Sequence, residues 1–192
     1  VAWTIKDILN LSNEKVTMIG TLGYYKNNIK IKDTNLTTPE KEELYQFAFS
    51  VRKNTKNFIF ETSSHAISQK RIKLLPINIA SITNISRDHL DYHKTFKNYR
   101  SAKFKLFSQY LIKGGTAIIN EKISGINNLK KNLIKQNKKI LTYGKKTSDI
   151  YLFHNNKKIR LKIFSKVYDT KFLTKSKHVL ENLSCAICSC IA

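Results

Sequence analysis

Glu61, His89 and Lys103 are the residues of this 192-residue chain best placed to do chemistry. Glu61 closes the apolar run Asn57-Phe58-Ile59-Phe60, which reads as a buried strand, and a second run, Ile77 to Asn84, opens into Ser86-Arg87-Asp88-His89. Polar residues just beyond the carboxyl ends of parallel strands face the crevice where doubly wound sheets take ligands. Lys103 lies four residues after Tyr99 and four before Phe107, on the same stripe of a helical stretch from Thr95 to Ser108 that also carries Phe96. An inward-facing ammonium is disfavoured, which frees the amine to act as a nucleophile. Its reaction with carbon dioxide would give a carbamate and turn a buried cation into an oxygen ligand. A carboxylate, an imidazole and a carbamate together outline a site for magnesium bridging phosphates. The spacing equally permits Lys103 to run its stem outward and leave its charge in water. His89 has a plainer reading too, as a helix-capping or hydrogen-bonded side chain, since magnesium prefers oxygen.

The elements that must position these residues can be traced along the chain. Val1 to Leu11 has helical periodicity but starts without a cap or a preceding strand, so a segment is expected upstream. Lys15 to Leu22 reads as a strand. Thr37-Thr38-Pro39-Glu40 reads as a helix start, with a threonine cap, proline in the first turn, and Glu40, Glu42 and Glu43 at the positive end of the macrodipole. That helix should run to about Arg52. After the strand ending at Glu61 come a short helix near His65 to Arg71, the strand ending at Asn84, and the Lys103 helix. Thr116 to Asn120 and Lys139 to Tyr143 are expected as strands with a helix between them, and His178 to Ala192 as a closing helix. This alternation predicts an α/β fold, a mostly parallel sheet with helices on both faces. From Asp149 to Leu173 short alternating segments predict a small antiparallel sheet. The length predicts a single domain.

The net charge of +22 is uneven: residues 94–177 hold 22 Lys or Arg against 3 Asp or Glu, and residues 1–93 hold 13 against 9. Such an imbalance suits a polyanion partner. Yet the basic residues are mostly Lys and accompany abundant Asn and Ile, a trio with AT-rich codons, and no nucleic-acid-binding motif interleaves aromatic with basic residues. Nucleic acid is therefore not the expected partner; a noncatalytic basic module is the rival reading. Cys185, Cys188 and Cys190 are odd in number, with only His178 near them, and read as small buried thiols in a reducing, cytoplasmic compartment. No signal peptide is legible, and the apolar C-terminal run is too short to span a bilayer, so no membrane partner is expected.

Ser63-Ser64-His65 lacks the glycines of a nucleophile elbow and is discounted as hydrolase chemistry. No G-x-x-x-x-G-K-[ST] phosphate loop occurs either. The strings Glu61-Thr62-Ser63-Ser64-His65-Ala66-Ile67-Ser68-Gln69-Lys70-Arg71, Thr83-Asn84-Ile85-Ser86-Arg87-Asp88-His89-Leu90-Asp91-Tyr92-His93 and Tyr99-Arg100-Ser101-Ala102-Lys103 nevertheless resemble, in order and spacing, the central domain of the Mur ligases. Within that family they are most similar to the MurE type, UDP-N-acetylmuramoyl-tripeptide synthetase.

The resemblance implies a P-loop-like fold and an ATP-dependent ligase of peptidoglycan synthesis. Such an enzyme phosphorylates the free carboxylate of UDP-N-acetylmuramoyl-L-alanyl-D-glutamate and lets a diamino acid, meso-diaminopimelate or L-lysine, attack it. By position, Thr37, Thr38, Ser63, Gln69 and Arg71 match residues that hold the UDP-sugar substrate. Lys103 matches the N6-carboxylysine, Glu61 and His89 match Mg2+ ligands, and Asn182 matches an asparagine near the adenine of ATP. Leu36 departs from the polar residue often found before the paired threonines. The resemblance also implies that residues 1–192 are the central ATP-binding domain without the phosphate loop, which in the family lies just before Val1. The N-terminal UDP-binding and C-terminal domains are then absent, and the chain alone is expected to be inactive. The rival within the superfamily is another Mur or folylpolyglutamate-type ligase.

Overall fold

The computed structural model describes residues 1–155, 158–172 and 174–192. They form two compact units: Ala2–Pro76 with Arg87–Leu106, and Ile77–Ser86 with Phe107–Ala192 and Val1. Each unit has its own sheet and its own buried side chains.

In the first unit, α1 (Ala2–Leu11) leads into β1 (Val16–Gly20), a hairpin of β2 (Gly23–Lys26) and β3 (Ile29–Lys32), α2 (Lys41–Val51), β4 (Asn57–Phe60), α3 (Ser64–Ser68), α4 (Leu90–His93) and α5 (Phe96–Lys105). The sheet order is β3-β2-β1-β4, with β1 parallel to β4 and antiparallel to β2. Every residue of β1 is buried, as a central strand requires when both faces are covered. α1 packs on β1 and β4. Leu44 of α2 is fully buried, and the ring of Phe47 on the same helix meets Tyr24 edge-on at 4.8 Å. The Tyr24 hydroxyl donates to Glu43 at 2.8 Å, and Lys32 pairs with the same carboxylate, whose pKa the lysine holds below the usual range.

The threonine cap is corrected by the structure. α2 begins at Lys41 with Glu40 at the cap position, no side chain caps it, and Pro39 stands before the helix. Thr38 turns its hydroxyl elsewhere, as described below. Glu42 and Glu43 do occupy the first turn.

In the second unit the strands are β5 (Ile77–Ile82), β6 (Leu111–Asn120), β7 (Lys139–Tyr143), β8 (Ile150–Asn155), β9 (Lys158–Ile163) and β10 (Lys166–Asp169), in the order β10-β9-β8-β7-β6-β5. β5 through β8 are parallel, and β9 and β10 continue antiparallel. Ala117, Ile118 and Ile119 are all fully buried; successive residues point to opposite faces, so β6 is covered on both. α6 (Ile126–Lys135) packs on β7, and α7 (Lys177–Ile191) on β5 to β8. Cys185 and Cys188 of α7 sit in the core with Ile118, Tyr143 and Ile150.

The alternating segments after Asp149 do form antiparallel pairs, but as an extension of the parallel sheet rather than a sheet of their own. Residues 144–149 are too few to return a strand to its neighbour's start. β8 therefore begins where β7 ends, paired only through Tyr143 and Ile150. Leu173, the expected limit of this region, lies outside the described residues.

Candidate active site

The site grows from the ends of the two parallel strands of the first unit. Ile19 stands opposite Phe60 in the β1/β4 register, and the Glu61 N–H donates to the Ile19 carbonyl at 2.9 Å, which sets the Gly20-Thr21 turn beside Glu61. One carboxylate oxygen of Glu61, Oε2, accepts from the Thr21 backbone N–H at 2.8 Å and from the Thr21 hydroxyl at 2.9 Å. A Cβ on Gly20 would lie 2.7 Å from this oxygen and from Glu61 Cδ, so the carboxylate rests against bare backbone. Its other oxygen takes no hydrogen bond from the described residues.

Thr37 Oγ1 lies 3.2 Å from Thr21 Oγ1. The proton count fixes the direction of that bond. An ionised carboxylate only accepts, so the single hydroxyl proton of Thr21 goes to Glu61 and Thr37 must donate to Thr21. Thr37 is then left with lone pairs alone, able to accept from an N–H or O–H but unable to donate to an anion.

Thr38 plays a different part. It is 1 % exposed, donates from its hydroxyl to the Glu61 carbonyl at 2.9 Å and accepts from the Ser63 N–H at 3.0 Å, clamping the β4–α3 link. Ser63 caps α3 by accepting from the Ala66 N–H at 3.1 Å. Arg71 donates from Nη1 to the Thr38 carbonyl at 2.9 Å and pairs through Nη2 with Glu40 at 2.9 Å. Its Nε is buried without a partner among the described residues. Gln69 is exposed at the end of α3.

Beyond α3 the imidazoles gather. The His65 ring lies 5.0 Å from His89, 4.2 Å from Tyr92 and 5.7 Å from His93. His93 is buried and bonded to the Ser64 hydroxyl at 3.0 Å; burial, and the nearby His65 and His89, push its pKa below the ordinary histidine value. His89 sits at the cap of α4 with φ +53°, a left-handed conformation costly for a residue with a side chain, and its ring makes no cap bond. His89 thus holds the cap position through its backbone alone, while its Nε2 lies 3.4 Å from Asp88 Oδ2, as the hydrogen-bonded reading expects. The ring also faces His65 and, at 5.9 Å, Tyr99.

Tyr99 is buried, and the Lys103 ammonium lies 4.9 Å from its ring centroid. The helix expected to run to Ser108 ends at Lys105 and gives way to a π-helical turn over Leu106–Tyr110, so the spacing from Lys103 to Phe107 is not that of one α-helix; Lys105 is exposed. Lys103 itself is half-buried, lying neither wholly in the core nor free in water. A chain of contacts thus runs from His65 of α3, just past the link that bears Glu61, through His89 and Tyr99 to Lys103.

Among the described residues no group of three or more His, Cys, Asp or Glu side chains gathers closely enough to hold a metal. The donor set nonetheless suits magnesium. That ion keeps several waters and is commonly bound through one or two carboxylates plus substrate phosphates. A pinned Glu61 carboxylate with one oxygen open fits this habit.

Asn182, in the second unit, is exposed on α7. It does not line the cavity of about 300 Å³ beside that helix, which Lys122, Gly144, Tyr151, Phe153, His154 and Glu181 help to form. The thiols of Cys185, Cys188 and Cys190 are raised by burial, Cys188 to about 12 and Cys190 to about 11, as inert core thiols should be. Among the described residues no helix is long and apolar enough to cross a membrane.

Sequence reasoning missed Thr21 and His65 as parts of the site. The expected strand from Lys15 ran through Thr21 to Leu22 and hid its position just past a parallel strand end. His65 was weighed only with its neighbouring serines.

The Mur ligase middle domain model matches residues 1–190, and the chain belongs to that family. A Buchnera aphidicola protein named UDP-N-acetylmuramoyl-L-alanyl-D-glutamate--2,6-diaminopimelate ligase is 46% identical over 112 residues, covering 58% of this chain and 22% of that protein. A protein of the same name from Anaplasma marginale is 33% identical over 198 residues, covering 97% of the chain and 41% of the relative. A solved structure bearing that name superposes with a TM-score of 0.83 at 24% identity, over 99% of this chain and 40% of the other. The chain therefore spans well under half the length of these relatives.

Proposed function

We propose that this chain is the central part of a ligase that joins diaminopimelate to UDP-N-acetylmuramoyl-L-alanyl-D-glutamate at the expense of ATP, in peptidoglycan precursor synthesis. The observation that carries this reading is the identity of 33% over 97% of the chain to a ligase named for that reaction. In the reaction the D-glutamate carboxylate takes the γ-phosphoryl group of ATP, and the incoming amine displaces inorganic phosphate to form the amide.

The chain's own residues divide the work. Glu61 offers a hard oxygen donor, His89 an imidazole, and Lys103 an amine that can add carbon dioxide, forming an N–C bond and releasing a proton. The Tyr99 ring lies 4.9 Å from that nitrogen. Magnesium held by these groups would neutralise phosphate oxygens and align them for in-line transfer. Arg71, braced by Thr38 and Glu40, directs its buried Nε–H toward an anionic substrate group. Thr37 accepts from a substrate N–H or O–H. Ser63, Thr38 and Gln69 frame the α3 end of the same pocket, and Asn182 serves the nucleotide. The UDP-binding and C-terminal domains of the complete ligase act as partners to this part, in the cytoplasm where ATP is supplied.

Calorimetric titration of the chain with UDP-N-acetylmuramoyl-L-alanyl-D-glutamate, against UDP-N-acetylmuramoyl-L-alanine as control, tests the reading. Tighter binding of the glutamyl compound is expected. Equal affinity for both compounds, or tight salt-sensitive binding of RNA instead, would overturn it.

A further inference from the structure

The Glu61 carboxylate is held more elaborately than a surface acid needs. Two donors from one residue, the Thr21 backbone N–H and hydroxyl, converge on one oxygen at 2.8 and 2.9 Å. Bonds to an ionised acceptor are about twice as strong as neutral ones, and a pair of them fixes the carboxylate's plane as well as its place. The approach depends on Gly20, because a Cβ there would occupy the ground on which the carboxylate rests. The register of β1 with β4 brings the two segments together, since Ile19 pairs with Phe60 immediately before Gly20-Thr21 and Glu61 respectively. The arrangement is exposed, so little folding stability depends on it. Its effect is to leave the second oxygen of Glu61 without a partner among the described residues and in a set direction.

We infer that Thr21 is a positioning residue which fixes Glu61 for metal binding, with Gly20 as the surface that lets the carboxylate lie flat. The inference rests on the reading of Glu61 as a metal ligand. Partners that orient a ligand commonly contribute 10- to 100-fold in metal affinity, although they never touch the metal. Thr21 also joins Glu61 to Thr37, so the acid that would meet the metal and the hydroxyl that would meet the substrate share one hydrogen-bonded file.

Mn2+ titrations of the 192-residue chain, followed by electron paramagnetic resonance, test this. Thr21→Val keeps the backbone N–H and the side-chain shape but removes the hydroxyl, and should weaken Mn2+ binding by roughly 10-fold. Thr21→Ser, which restores the donor, should return affinity to within about twofold of wild type. Gly20→Ala should weaken binding as well, because the flexible end of Glu61 must move aside. Melting midpoints of Thr21→Val and wild type should agree, separating positioning from folding. Undiminished Mn2+ affinity in Thr21→Val, with wild type binding well, would overturn the positioning role and leave Glu61 as a ligand. Absence of Mn2+ binding by folded wild type would overturn the ligand reading itself, and the positioning role with it.

Discussion

Replacing Thr38 by Val should destabilise the first unit strongly, and the size of the loss follows from two hydrogen bonds. The Thr38 side chain is 1 % exposed, and its hydroxyl bridges the Glu61 carbonyl and the Ser63 N–H. Valine fills the same volume but leaves both backbone groups without their partner in a confined place. Each stranded group costs about 1–3 kcal/mol, so the change should cost about 2–5 kcal/mol after some rearrangement toward water. For a chain of this length that is a fall of roughly 5–15 °C in melting midpoint. Thr38→Ser keeps both bonds and loses only a methyl group, a loss of about 1 kcal/mol. Urea unfolding followed by fluorescence of Trp3, the single tryptophan, is the fitting assay. Trp3 belongs to the same unit and packs against Tyr25 and Lys6. A Thr38→Val chain within about 0.5 kcal/mol of wild type, yet impaired in binding the UDP-dipeptide, would refute the reasoning and give Thr38 to the substrate instead.

Three further outcomes are expected. The pKa of His93 is depressed in the folded chain, so its share of stability is complete above about pH 6.5 and is lost as pH falls through the lower folded value; the urea midpoint of wild type should drop more between pH 7.5 and 5.5 than that of His93→Asn. Thr37→Val should weaken binding of UDP-N-acetylmuramoyl-L-alanyl-D-glutamate by about 5- to 10-fold in calorimetry, and Thr37→Ser should not, because only acceptor capacity is asked of that position. Arg71→Lys should lose about 10-fold or more in the same titration, since a point charge cannot span the Thr38 carbonyl, Glu40 and a ligand at once; full retention would deny Arg71 its role.

Much of the fold was legible because its central strands are apolar runs with clear ends. Asn57–Phe60 and Lys139–Tyr143 appear where periodicity placed them, and the run from Ile77 expected to reach Asn84 ends as a strand at Ile82. The β2–β3 hairpin was not anticipated, although Ile29–Lys32 alternates Ile with Lys as a strand does; the run is only four residues long and exposed throughout. The Thr38 cap failed for a physical reason: a threonine before proline and glutamate satisfies the local rule, but the partners of its hydroxyl lie more than twenty residues away. The same limit hid Thr21, whose bond to Glu61 spans forty residues. The placing of Tyr99 and Lys103 on one helix was readable from their spacing, but the end of that helix at Lys105 was not. What spacing could not settle was the depth of the amine, which is half-buried.

The placement of Trp3 and of the cysteines gives the chain its own instrumentation. Its lone indole reports on one unit, and its thiols all lie on α7 in the other. Cys185 and Cys188 are fully enclosed, so a maleimide reaches them only when that helix lifts away. Watching emission and alkylation together through a denaturant series therefore distinguishes concerted melting from melting in two stages, without a single mutation.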